Sequence, residues 1–237
     1  MRSRAKTAGF VLLASLSFVV FAGLGIWQLE RRAWKLDLIE RVERRANGSP
    51  EPAPGPAAWP AITAASDEYR RVRVTGVFLP GAETLVQATT ERGGGFWVMS
   101  PLRTAQGFVV LINRGFVPSE RSDPASRAPA EIAGETTVTG LLRMTEPKGG
   151  FLRSNDPAAN RWFSRDVTAI AAARGLADVA PYFIDADATP NPGGLPVGGM
   201  TVLAFPNNHL VYALTWFALA LLVAGASAYA AQGARKD

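Results

Sequence analysis

The chain contains a single histidine, His209, and no cysteine, so few of its side chains could bind a transition metal. His209 stands in Pro206-Asn207-Asn208-His209, directly before an apolar run without charge that extends to Gln232. Because Pro and Asn are typical of helix starts, this pattern predicts that His209 lies in the first turn of a helix. The partial positive charge of a helix N-terminus favours the neutral imidazole, which is the form that binds metals. His209 is therefore either a metal or cofactor ligand or an interfacial polar residue that reaches toward lipid headgroups.

Two stretches are long and apolar enough to cross a membrane, for which about 20 residues suffice. The first is predicted as a transmembrane helix over 7–29 and the second over 207–232. No small-residue cleavage site follows the first stretch, which continues directly into a basic juxtamembrane helix over 30–47, so we interpret it as a retained anchor. Two spans make a helical hairpin, with 1–6 and 233–237 as tails on one side of the membrane.

In such a hairpin, the end of the first span and the start of the second emerge on the same side of the membrane. The residues that this arrangement gathers near His209, or that follow it on the second span, are Trp27, Gln28, Arg31, Arg32, Trp34, Lys35, Asn208, Tyr212 and Trp216. An imidazole bound to iron, guanidiniums paired with propionates and indoles covering the ring could hold a planar, dianionic haem. We treat these residues as a candidate cofactor site, with His209 as its metal ligand.

Between the spans, a Pro-rich segment (48–68) precedes a region (69–205) in which polar and apolar residues alternate as in half-buried strands. The candidate strands are Tyr69–Phe78, Glu83–Thr89, Gly95–Arg103, Phe108–Phe116, Thr136–Met144, Pro181–Asp185 and Thr201–Phe205. They are short and separated by Gly and Pro, which predicts an antiparallel sheet curled into a small barrel or sandwich. One short helix is predicted after Asp166 as N-cap, with Gly175 just beyond its end.

One candidate strand runs into Asn113-Arg114-Gly115, where glycine permits a positive φ or a close backbone approach. Two interpretations are equally open for these three residues. They form either a turn at the strand end with a structural arginine, or a surface that contacts a partner.

Composition excludes several classes of protein. The net charge of +5 comes largely from the two tails, so the middle region has no basic stripe of the kind that nucleic-acid binders need. Without cysteine there is no thiolate metal site, and one histidine near lipid makes a His-based catalytic triad improbable.

The basic residues that flank the first span number three before it and six after it, which would place the middle region in the cytoplasm. Long domains are translocated regardless of such charges, so this count does not decide the orientation.

The chain resembles the Surfeit locus protein 1 family of cytochrome c oxidase assembly factors. The motifs that carry the resemblance are GxWQxxRRxWK at 25–35, RRVRVTGVF at 70–78, SPL at 100–102, VLINRGFVP at 110–118, RMTEP at 143–147 and PNNHLVYALTWFALA at 206–220. They occur in family order over nearly the full length. Ser100 and Phe116 stand where the family usually has Thr and Trp, and both keep the residue class.

The resemblance implies an α+β membrane protein whose two transmembrane helices flank an extracytoplasmic β-domain, with the tails 1–6 and 233–237 in the cytoplasm. It implies a role in inserting haem a into the oxidase core subunit, in contact with that subunit and other assembly proteins, and haem a binding at His209. The short basic N-terminus favours a bacterial plasma membrane, with the middle domain in the periplasm.

Two functional hypotheses follow: a chaperone that binds and transfers haem a, and a membrane scaffold without a cofactor that stabilises an oxidase assembly intermediate. For the scaffold, Ala220, Ala224 and Ala228 would form a small-residue ridge for close helix packing. An enzymatic role fits poorly, since the sequence shows no close pair of carboxylates for general acid–base catalysis.

Overall fold

The computed structural model describes residues 2–130, 132–150, 152–203 and 205–233. It divides the chain into two compact units. One is drawn from the two ends of the chain and contains most of the first long helix and the whole of the second, and the other spans Val42–Leu203.

The two long helices are α1 (Arg2–Asn47) and α4 (His209–Gly233). Gly9–Asn47 and His209–Gln232 are each long and apolar enough to cross a membrane. Their large apolar side chains are mostly exposed, a surface that a bilayer would cover and that soluble proteins rarely present. The helices pack together, with the rings of Phe21 and Trp216 stacked at 5.6 Å. The prediction of two long apolar helices that flank a β-domain is confirmed.

The first span and the basic segment after it form one uninterrupted helix. Arg41 and Asp37 make an ion pair of 2.9 Å across one turn of α1, as their spacing predicts. The helix ends at Asn47, directly before Gly48-Ser49-Pro50.

The strands of the second unit are β1 (Glu51–Pro52), β2 (Arg71–Phe78), β3 (Thr84–Thr90), β4 (Gly93–Thr104), β5 (Val109–Pro118), β6 (Glu135–Met144), β7 (Gly149–Gly150), β8 (Arg153–Ser154) and β9 (Val179–Ala186). Five of them close a barrel in the order β2-β6-β9-β5-β4, because the end of β2 pairs with β4. β3 extends the sheet beyond β4, and β1 extends it beyond β2. The barrel-like domain predicted from the sequence is thus present.

The barrel is mixed, whereas the sequence analysis predicted antiparallel pairing throughout. β5 and β9 run parallel, and the other pairs of the ring are antiparallel. A closed ring with an odd number of strands cannot alternate in direction all the way round, so five strands require at least one parallel pair. The short helix α3 (Val167–Ala173) lies in the long connection that precedes β9, in keeping with the crossover that parallel strands need.

The β-domain has two apolar clusters, one on each face of the sheet. Alternate residues of the ring strands fill the barrel, among them Val72, Val74, Leu102, Val110, Ile112, Leu142, Tyr182 and Ile184. The second cluster lies between the outer face and α3, and includes Val86, Met99, Leu111, Trp162, Val167, Ile170 and Phe183. Because β5 contributes to both clusters, its sequence is apolar nearly throughout instead of alternating.

The Pro-rich segment packs against the barrel. Ala53 is buried in the barrel cluster, and the Tyr182 hydroxyl donates a hydrogen bond of 2.7 Å to the carbonyl of Pro54. Burial raises the pKa of Tyr182, although the charge of Arg70 opposes this effect. The hydroxyl therefore stays protonated as a donor.

The short helix is present as predicted, whereas one predicted strand is absent. Asp166 caps α3 by accepting a hydrogen bond from the Ala169 amide, and Gly175 follows with a φ of +63°. Residues 201–203 and 205 are not in a strand, so the strand predicted over Thr201–Phe205 is wrong for them, while Ala204 lies outside the described residues. The Thr201 hydroxyl bonds to the Asp185 carboxylate at 2.9 Å, so a side chain holds this segment where a ladder of backbone bonds was expected.

Candidate functional site

His209 is held by a side chain of the other long helix. Its Nδ1 donates to the Oε1 atom of Gln28 at 2.7 Å. This contact fixes the ring orientation and places the proton on Nδ1, so the lone pair of Nε2 is available to a metal. A carbonyl that accepts from Nδ1 is a common support for a metal-binding histidine.

The asparagines before α4 differ in their surroundings. The Asn208 carbonyl accepts a hydrogen bond from the Tyr212 amide at 3.2 Å, which is a backbone hydrogen bond of the first turn of α4. Asn207 has a buried Oδ1 atom that finds no hydrogen-bond partner among the described residues. A buried acceptor of this kind is unusual and would be satisfied by a donor from outside the chain. The sequence analysis did not select Asn207, although it lies in the same PNNH motif.

The indoles of the 27–35 stretch are exposed on α1, and its cations are exposed or half-buried. Trp27 and Trp34 are about half exposed, and the guanidinium of Arg31 lies 4.0 Å from the centroid of the Trp34 ring. The Lys35 ammonium lies 5.4 Å from the centroid of the Phe205 ring, which brings the segment before α4 to the same part of α1. Arg32 is half-buried.

The two predicted residues on α4 are in different environments. Tyr212 is 56% exposed, and it lies one turn after His209 on the same helix face. Trp216 stacks on Phe21 and is half-buried. The structure therefore gives Trp216 a role in packing the two helices together.

The donor set decides which kind of metal centre His209 could serve. The described residues contain no group of three or more His, Cys, Asp or Glu side chains that could hold a metal ion. A zinc ion needs three or four protein ligands, whereas haem iron already has its four porphyrin nitrogens and requires only an axial ligand. These residues thus fit haem better than a bare ion.

Asn113, Arg114 and Gly115 are buried in β5 and make contacts within the chain. The Asn113 amide donates to Asp185 at 2.8 Å, and its Oδ1 accepts from the Gly115 amide at 3.2 Å. The Arg114 guanidinium donates to Asn191 at 2.9 Å and lies 5.2 Å from the centroid of the Phe78 ring. These contacts account for the motif structurally, while its contact with a partner stays a prediction.

A buried ion network around Asp185 was not found from the sequence. Asp185 accepts from Arg143 at 2.9 Å and from Arg165 at 3.0 Å, and both arginines also contact Glu146. Burial raises the pKa of Glu146, but the hydrogen bonds and charges of the two arginines outweigh it and lower that pKa overall. The partners come from β6, β9 and the loop before α3, so no local sequence pattern shows the network.

The fold and the helix-borne cluster together define a class: a protein with two candidate membrane-spanning helices and a mixed five-stranded β-barrel. The SURF1 family profile matches residues 15–221. Human Surfeit locus protein 1 is 36% identical over 214 residues, covering 83% of this chain and 69% of the human protein. A SURF1-like protein of Monosiga brevicollis is 37% identical over 234 residues, covering 92% of this chain and 86% of that protein.

A third relative, Surfeit locus protein 1 of Takifugu rubripes, is 33% identical over 215 residues and is covered over 86% of its length. The chain belongs to the SURF1 family, the family of cytochrome c oxidase assembly factors that its motifs resemble.

Proposed function

We propose that this protein is a cytochrome c oxidase biogenesis factor that binds haem a and hands it over during maturation of the oxidase core subunit. Family membership supports the role in oxidase assembly. The observation that supports haem binding is the 2.7 Å hydrogen bond between His209 Nδ1 and Gln28, which leaves Nε2 for iron.

The same cluster supplies partners for the rest of the ligand. His209 binds the iron, the cations Arg31, Arg32 and Lys35 pair with the propionates, and the exposed indoles of Trp27 and Trp34 cover apolar parts of the ring. His209 would hold the iron of haem a through Nε2, and the bound group would supply the metal centre that is to be delivered. The protein orients and shields its cargo without chemical change, so the role is that of a chaperone. A single protein ligand suits a cargo that must be released.

The proposal includes a location and partners. The two spans lie in a bacterial plasma membrane, the β-domain lies in the periplasm, and the oxidase core subunit and other proteins of haem a supply and oxidase assembly are the partners.

The test is the absorbance spectrum of the protein purified from cells that make haem a. His209→Ala should lose most of the bound haem, and Gln28→Leu should lose part of it because Nδ1 loses its acceptor, on the order of 10–100-fold in affinity for such supporting residues. Ser227→Ala serves as the matched control, since it removes a hydrogen bond elsewhere on α4. If the His209→Ala protein keeps the haem spectrum of the parent, His209 is not the ligand.

One observation favours a second function, a scaffold without a cofactor. The His209–Gln28 hydrogen bond joins the two long helices, and it could serve only to hold the hairpin that docks against an assembly intermediate. In cells unable to make haem a, a scaffold should still co-purify with the oxidase core subunit, and His209→Ala should lower its thermal stability. Co-purification that requires haem would favour the chaperone.

A further inference from the structure

The chain carries no charge where it leaves the β-domain for α4. No Asp, Glu, Lys or Arg occurs from Ala188 to Ala234, a stretch that begins well before α4 starts at His209. Connecting segments run over the surface of a protein, where charged side chains are normally common. The apolar side chains of this connection therefore have no charged neighbours along the chain to favour contact with water.

Val202 points outward from this connection. The Thr201 hydroxyl bonds to the Asp185 carboxylate at 2.9 Å, and the Gly199 amide donates to the Ala186 carbonyl at 3.0 Å, so the backbone is held against β9. Val202 follows directly and is 73% exposed. Because the backbone on its N-terminal side is fixed by these bonds, the exposure of this apolar side chain is a property of the folded β-domain.

Val202 forms an apolar rim together with Trp97 and Met200. All three border one small cavity of about 230 Å³, and Trp97 and Met200 are half-buried. The Trp97 ring meets the Phe116 ring edge to face at a centroid distance of 6.0 Å, which holds the indole in place. The cavity is smaller than the roughly 300–1,000 Å³ of small-molecule sites, so the rim fits a surface contact better than an enclosed ligand.

The charged groups that line the same cavity are satisfied within the chain. Asp185 pairs with Arg143 and Arg165, and it also accepts a hydrogen bond from Asn113. Both arginines have Glu146 as a further partner. An ionic ligand would have to break these contacts, so any attraction of the rim to its surroundings comes from its apolar side chains.

The covalent chain limits the distance between the rim and the start of α4. Leu203 is the last residue of the β-domain unit, and five residues separate it from His209. Even fully extended, a connection of this length spans only about 20 Å. In the proposed membrane placement His209 lies at the lipid surface. This limit then keeps Val202 near the headgroup region, where Trp side chains are enriched in membrane proteins.

From these observations we infer that the apolar rim of Trp97, Met200 and Val202 is a lipid-contact surface of the β-domain. Its side chains lie among the headgroups and upper acyl chains of the membrane that α4 enters, where each Å² removed from water contributes about 25 cal/mol. The inference rests on the membrane insertion of α4 in the proposed function and not on haem binding. Lipid is the occupant because three side chains fall far short of the roughly 800 Å² per partner that a stable protein interface buries.

The test is quenching of a fluorophore on the full chain in phosphatidylcholine nanodiscs. Because the chain has no cysteine, Val202→Cys can be labelled with NBD at this position alone. A phosphatidylcholine with a nitroxide near its headgroup should quench most of the emission. Leu152→Cys is the matched control, since Leu152 is also an apolar residue of the β-domain, 89% exposed, but lies outside the rim. Its label should keep its emission, and equal quenching at the two positions would contradict a specific contact of the rim.

Leu221→Cys at the middle of α4 separates this inference from the proposed span. Leu221 is 70% exposed, and a nitroxide deep in the acyl chains should quench its label if α4 crosses the membrane. Quenching at Leu221 without quenching at Val202 would overturn the lipid contact and leave the span intact. Quenching at neither position would overturn both.

The lipid composition tests whether the contact is apolar. Quenching at Val202 should be equal with and without phosphatidylglycerol in the nanodisc, because the charges beside the rim are paired within the chain. A requirement for the anionic lipid would contradict an apolar contact. A Val202 label that becomes shielded only after the oxidase core subunit is added would assign the rim to a protein partner and overturn the inference.

Discussion

At Gly115 the backbone has a φ of +126°, and an added Cβ atom would lie 2.0 Å from the carbonyl oxygen of Val197. The next residue, Phe116, exchanges two backbone hydrogen bonds of 2.9 Å with Val197. The segment around Val197 is therefore held directly against β5, and only a residue without a side chain permits this approach. The glycine of the Asn-Arg-Gly motif is explained by packing within the chain.

We expect Gly115→Ala to destabilise the protein by more than about 3 kcal/mol, since it combines a strained φ with a backbone clash. Gly107→Ala is the control, because Gly107 also has a positive φ but nothing lies within 4 Å of its added Cβ. Strain alone should cost about 1–3 kcal/mol there. Guanidinium unfolding of the full chain, followed by tryptophan fluorescence, measures both. Equal losses for the two variants would show that the contact with Val197 does not matter.

The lowered pKa of Glu146 predicts that acid reduces the free energy of unfolding. Its pKa in the folded protein is lowered from 4.5, because hydrogen bonds and charges of Arg165 and Arg143 outweigh burial. A lowered folded pKa means that the ion pairs contribute their full stability above the unfolded pKa and lose it as pH falls through the folded value.

The free energy of unfolding should thus decrease below about pH 4.5, and Glu146→Gln should remove this part of the decrease while lowering stability at neutral pH. The control is Glu91→Gln in the exposed turn between β3 and β4. Urea unfolding over a pH series compares the variants. A decrease at acid pH that is identical in the Glu146→Gln protein would exclude this network as its source.

At the scale of elements, the contact between α1 and α4 depends on a small residue. An added Cβ on Gly25 would lie 2.5 Å from the Phe217 ring, whereas nothing lies within 4 Å of one on Gly23, two residues earlier in the same helix. Close packing of this kind is the main force between helices in lipid, where the hydrophobic effect no longer acts between them. The same pair of helices positions Gln28 against His209.

Gly25→Leu should therefore separate the helices at this point and destabilise the hairpin by about 1–3 kcal/mol. Gly23→Leu should leave it unchanged, since that side chain would point into open space. Thermal unfolding in detergent measures the stability, and the haem spectrum reports the cluster around His209. If Gly23→Leu has as large an effect as Gly25→Leu, the cause is the substitution of glycine in α1 and not the contact with Phe217.

At the scale of the whole molecule, the apolar surface of α1 and α4 and the closed barrel call for different solvents. The helices expose large apolar side chains such as Leu12 and Leu221, at 73% and 70%, whereas the barrel buries its apolar residues in two clusters. Lipid around the helices and water around the barrel satisfy both conditions. The proposed periplasmic location of the barrel can be tested because the chain has no cysteine.

We expect Leu152→Cys to react with a membrane-impermeant maleimide in cells whose outer membrane has been permeabilised. Gln232→Cys, near the end of α4, should react only after lysis. Both positions are exposed, so access depends on the membrane alone. The reverse pattern would place the barrel in the cytoplasm, and reaction of both in unlysed cells would contradict the hairpin.

The sequence predicted most elements of the fold because their signals are local. Uncharged apolar runs predicted both long helices, and Asp166 with Gly175 predicted α3. Alternation, or for β5 a short apolar run, predicted the strands of the ring within a few residues. Closure of the ring and the parallel pairing of β5 with β9 depend on residues far apart in the chain. The periodicity of a local stretch contains no information about which distant strands pair. The segment over 201–203 is held by the hydrogen bond of the Thr201 side chain to Asp185, a contact between distant residues that the local alternation did not indicate.

For the candidate site, the hairpin argument predicted from the sequence that Gln28 and His209 lie near each other, and the structure shows them in contact. It could not predict which ring nitrogen faces Gln28, that Trp216 stacks on Phe21, or that the Asn207 oxygen has no hydrogen-bond partner among the residues that the structure describes.

The sequence by itself determined the family, the two apolar helices and the β-rich middle, since these follow from motifs, length and periodicity. Only the tertiary structure decided the mixed closed barrel, the ion network around Asp185 and the burial of Asn113-Arg114-Gly115. Each of these joins residues from several strands and loops. The distances between such residues are fixed by the packing of the whole chain, so they cannot be inferred from any single stretch of the sequence.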